Sequence, residues 1–82
     1  MNAEIEKAVG QNIRSLREKA GLTQENLSAY MQIEGCDITR SALAKIEVGQ
    51  RHLYPDEIIV IRKILKVNYD DILSIEKQPI RS

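Results

Sequence analysis

Apolar positions recur at helical spacing from one end of the chain to the other. Ile5, Val9, Ile13, Leu16 and Ala20 step by four, four, three and four residues. That lays one stripe along a helix over about residues 3–19, which Gly21 stops. Gly10 inside it costs roughly 1 kcal/mol against alanine, so it is either a tolerated weak spot or a place where another helix comes close. Thr23 caps a second helix, although Asn26 stands where a full capping box has Glu or Gln. Leu27, Tyr30 and Met31 form its apolar face, and it ends between Gln32 and Gly35. Thr39 caps a third helix from Arg40 to about Glu47, and Gly49 ends it. Pro55 sets the entry to a fourth, with Asp56 and Glu57 in the first turn and Ile58, Ile61, Ile64 and Leu65 as its stripe. Asn68 or Tyr69 opens a short fifth helix in which Asp70 and Asp71 precede Ile72, Leu73 and Ile75. There is no strand pattern, repeat or low-complexity tract. The spacing predicts an all-α, five-helix domain over residues 1–75 and a polar tail over 76–82. Its connections are short except at 32–38 and 48–55.

The third helix has two sides. At about 100° per residue from Leu43, Ile46 falls near −60°, Thr39 near −40° and Glu47 near +40°, all on the core face. Ala44 falls near 100°, Ser41 near 160° and Lys45 near 200°, facing away, and Arg40 sits at the open N-terminal end. Glu47 is the exception on the inner face. A lone buried carboxylate is costly, so it needs a partner. Arg17 leans toward the core beside Ile13, Leu16 and Ala20, and its planar guanidinium suits a bidentate contact. The angles alone allow either that bridge or two solvated charges.

Composition narrows the class. Eighty-two residues suit one small domain, with 43% hydrophobic and 29% charged residues. The formal net charge is zero and the pI about 6.6, which argues against a basic arm but leaves open where charge sits. The single cysteine, Cys36, forms no internal disulfide, and the acidic N-terminus does not read as a signal peptide. No apolar run reaches the ~20 residues that span a bilayer. These features suggest a cytoplasmic location. Cys36 is expected to be exposed in the 32–38 connection, without a basic neighbour to activate its thiol.

The stretches "IRSLREKAGLTQENLS", "ITRSALAKIEVGQR" and "LKVNYDDIL" together resemble the XRE-type helix-turn-helix family of Cro and the lambda-like phage repressors. Gly-Leu-Thr-Gln followed by Ile-Glu-x-Gly carries the likeness, which extends over about residues 9–75. The resemblance implies a lambda-repressor-like fold with the family's Arg–Glu bridge on Arg17 and Glu47. It implies that the third helix enters the major groove by its N-terminal end while the second crosses the backbone. Arg40, Ser41, Ala44 and Lys45 are then the base-contact candidates, with Arg40 and Lys45 donating to guanine and Ala44 permitting close approach. Thr23 and Gln24 at the start of the second helix, with Arg51, His52 and Arg14, are phosphate candidates. Taken singly, each of these is also an ordinary solvated helix residue.

The chain departs from the pattern in "AYMQIEGCDIT", which is longer than the family's tight turn. Either the second helix runs a turn further or the connection bulges, and Asp37 there caps or faces solvent. The implied partner is double-stranded DNA, an inverted-repeat operator read by a homodimer, with Ile59, Val60, Leu73, Ile75 and Ile80 as an apolar patch. No cofactor, metal, membrane or small-molecule ligand is expected. Catalysis finds no support in one His and one Cys with no glycine-rich loop. The competing reading is a helix-turn-helix module, antitoxin-like, that binds a protein partner.

Overall fold

A computed structural model describes residues 2–75; the predicted tail 76–82, with Ile80, lies outside them. Five helices follow one another: α1 (Ala3–Lys19), α2 (Gln24–Ile33), α3 (Arg40–Glu47), α4 (Pro55–Leu65) and α5 (Tyr69–Leu73). No strand occurs among the described residues. The architecture is the all-α, five-helix arrangement, with α1 packed on α3 and α5, and α2 on α3 and α4.

Local chemistry accounts for the helix starts. Asn2 accepts from the Glu4 and Ile5 amides, and Thr39 from that of Ala42. Thr23 does more than expected. Its hydroxyl accepts from the Asn26 amide at 3.0 Å, and the Asn26 side chain accepts from the Thr23 amide at 3.1 Å. The capping box is therefore complete, because asparagine supplies the same carbonyl acceptor as glutamine. Pro55 opens α4 and Glu57 reaches back to the Tyr54 amide.

Val9, Ile13, Leu27, Met31, Ile38, Leu43, Ile46, Ile61 and Ile72 form the centre of one core. The predicted stripes differ from the packing in three places. Ile5 and Ala20, at the ends of the α1 stripe, are exposed. A helical wheel gives a side chain's angle but not its axial position, so it does not tell which stripe residues lie at the ends of the packed length. Tyr30 is also exposed. Ser28, one turn from Glu25, is buried instead and donates to the Glu25 carbonyl.

The departure from the family's tight turn is resolved by packing. Helix α2 stops at Ile33, and alternate residues of the connection that follows turn inward. Gly35 takes a positive φ of 88° and reverses the chain. Cys36 and Ile38 then enter the core at 7% and 1% exposure. Gln32 donates to the Ile38 carbonyl and holds the segment down. Cys36 is thus buried, contrary to the exposed position expected from its loop. Burial raises its thiol pKa, and Glu57, Asp56 and Asp37 add to the rise while Arg51 opposes it. Asp37 faces solvent.

Candidate nucleic-acid interface

Helix α3 is fixed from behind. Arg17 donates to Glu47 through Nε at 2.7 Å and Nη2 at 3.0 Å, a bidentate contact with both side chains nearly out of water. The hydrogen bond to Glu47 outweighs desolvation and raises the Arg17 pKa. Arg17 Nη1 also donates to the Leu22 carbonyl, and the Gln24 amide donates to Glu47 Oε1 at 2.9 Å. One carboxylate therefore joins α1, the start of α2 and the end of α3. With four hydrogen bonds around the pair, burying the two charges is compensated.

Two glycines tighten the same end. A Cβ added to Gly10 would overlap the Ile46 carbonyl oxygen and come within 2.9 Å of the Glu47 oxygen. Of the two readings of Gly10, close approach is the one realised. Gly49 adopts φ 79°, and a Cβ there would lie 2.8 Å from Lys7 Cα. Only glycine meets both demands at that turn.

The other end of α3 stands open. Arg40, Ser41 and Lys45 are exposed, and Ala44 is half-buried on the margin. Neither Arg40 nor Lys45 has an ion-pair partner among the described residues. Thr39 caps the helix and leaves its front amides facing outward beside them.

The cations expected at phosphates are engaged within the chain. Arg14 pairs with Glu18 at 3.3 Å on the exposed side of α1. Arg51 donates to both Glu57 oxygens at 3.0 and 3.1 Å and to the His52 carbonyl, and its guanidinium lies 5.7 Å from the Tyr54 ring centre. The Glu57 hydrogen bond raises the Arg51 pKa. Arg51 therefore clamps the α3–α4 connection and is not the loose surface charge the sequence suggests. His52 Nδ1 lies 2.5 Å from Glu6 Oε2, tying this connection to α1. Thr23 carries the α2 cap, and Gln24 shares itself between the helix start and Glu47.

Sequence reasoning missed several supports. Asn12 donates to the Ile72 and Ser74 carbonyls at 2.9 and 2.7 Å and closes the C-terminal end of α5 against α1. Lys63 reaches Glu34, and Arg62 stacks 4.9 Å from the Tyr69 ring centre. The Asn12 and Lys63 contacts span distant parts of the chain, and the Arg62–Tyr69 contact crosses the α4–α5 turn, so no helical periodicity signals them. In the suggested apolar patch, Ile59 and Leu73 are exposed while Val60 and Ile75 are half-buried. Among the described residues no cluster of three His, Cys, Asp or Glu side chains has metal-site geometry, and no helix is long and apolar enough to cross a membrane.

A family profile described as Helix-turn-helix matches residues 13–72, about three quarters of the chain. The match begins at Ile13 in α1 and ends at Ile72 in α5, so it takes in the Arg17–Glu47 pair and all of α3. No curated protein and no solved structure matches the chain.

Proposed function

Because the chain belongs to the XRE-type helix-turn-helix family of DNA-binding regulators, we propose that it is a cytoplasmic, sequence-specific repressor reading the major groove through α3. The observation that carries this reading is the contrast across α3. Arg40 and Lys45 are exposed and unpaired among the described residues, while Glu47 behind them is locked to two other helices. A reader of base edges needs cationic donors at the surface and a rigid mount beneath them. Arg40 and Lys45 donate to guanine edges, Ser41 bonds a base edge or a phosphate, and Ala44 lets the helix sit close. Thr23 and Gln24, with Arg14, His52 and Arg51, line the flanks as phosphate contacts. Two copies on an inverted repeat place their helices about one helical turn apart. Ile59 and Leu73 supply the apolar surface for that pairing.

Selecting bound duplexes from random DNA, then titrating the recovered site over a salt series, tests the reading. The expected result is a two-fold symmetric site. With four to six phosphates neutralised per subunit, log affinity should fall with log salt at a slope of about −4 to −5 per subunit. Arg40→Ala should relax discrimination at one base-pair position by ~1–3 kcal/mol. Absence of binding to any duplex at low salt, with the helical fold intact, would overturn the reading in favour of a protein partner.

A further inference from the structure

At the proposed interface the basic side chains divide into two kinds. Arg40 and Lys45, assigned to bases, have no carboxylate partner among the described residues. Arg14, Arg51 and His52, assigned to phosphates, each have one. The three pairs are not equivalent. Glu57 is buried and also accepts from the Tyr54 amide, so its pair with Arg51 belongs to the fold. Arg14 and Glu18 are both more than half exposed and meet through one contact at 3.3 Å. Glu6, beneath the exposed His52, is about as buried as Glu57, so that contact too belongs to the fold. An exposed pair is weak and salt-screened, so a phosphate can displace the carboxylate.

We propose that Glu18 is a built-in competitor of DNA phosphate that limits the sequence-independent affinity of the interface. This rests on the DNA-binding reading above. The Glu18 carboxylate occupies Arg14, which would otherwise add a stronger phosphate contact, and binding must first release it. The cations that read bases carry no such restraint. The neutral net charge then has a local meaning: charge is cancelled where contacts are indifferent to sequence and left uncancelled where they are not.

The test is a double-mutant cycle on random-sequence duplex at pH 7.5. Glu18→Gln should tighten binding by about two- to fivefold at low salt. It should also steepen the log–log salt slope by up to about 0.9, one phosphate contact. Arg14→Ala should weaken binding less in the original chain than in the Glu18→Gln chain, and should abolish the gain when combined with Glu18→Gln. Asp70→Asn on exposed α5 makes the same change in net charge away from α3 and is the control. An equal gain from Asp70→Asn, or a gain from Glu18→Gln that survives Arg14→Ala, overturns the proposal. If the unaltered protein binds no duplex at low salt, the DNA-binding reading itself fails.

Discussion

At the C-terminal end of α3, Glu47 is gripped by Arg17 and Gln24, and Gly10 and Gly49 let α1 press against the backbone. At the N-terminal end Thr39 supplies one capping bond, and the side chains beyond it stand in water. The two ends lie eight residues apart on one helix. Their difference shows how a small domain separates holding from reading. Close backbone approach and a buried ion pair leave one end no freedom. The other end keeps its donors unspent, which a recognition surface needs.

Substitutions sharpen this comparison, because the two ends should respond in opposite ways. The largest effect is expected from Glu47→Gln, which leaves the Arg17 charge buried without its counterion. Stability should fall by about 3 kcal/mol, and thermal unfolding by more than about 10 °C. An unchanged melting curve would show that the pair contributes nothing. Next comes Gly10→Ala. Its new methyl collides with backbone carbonyls that cannot turn aside, so helix propensity is outweighed and about 1–3 kcal/mol is lost. If the variant gains stability in chemical denaturation, the close approach of α1 and α3 is not as described.

At the open end, Thr39→Ala removes a cap and should cost ~1 kcal/mol, read from the same denaturation curves. Arg40→Ala should change stability by less than about 0.5 kcal/mol, since its side chain is exposed. A large loss of stability there would erase the distinction between the two ends.

Much of the fold was legible because its signals are local. Thr23, Thr39, Pro55 and Gly49 each act within one turn of themselves, and the element limits follow from them. The inward angle of Glu47 is likewise a matter of helix geometry. Its partner is not: angles leave Arg17 either bridged or solvated, and only the family resemblance pointed to the bridge. The burial of Cys36 is not legible locally, because a loop residue's direction depends on what the rest of the chain leaves unfilled. The role of Asn12 is hidden for a similar reason, since its acceptors lie 60 and 62 residues away. The engagement of Arg51 with Glu57 was missed although only six residues separate them. The spacing crosses a connection whose path no periodicity describes.

The inward-folded joint between α2 and α3 also bears on how such a protein can be re-targeted. Because Cys36 and Ile38 fill space that helices alone would leave vacant, the α2–α3 unit is not an interchangeable cassette. Importing a relative's unit with a shorter joint would hollow out the interior, at a cost of about 24 cal/mol for every cubic ångström left unfilled. Transplanting only the outward side chains of the third helix would leave that interior intact.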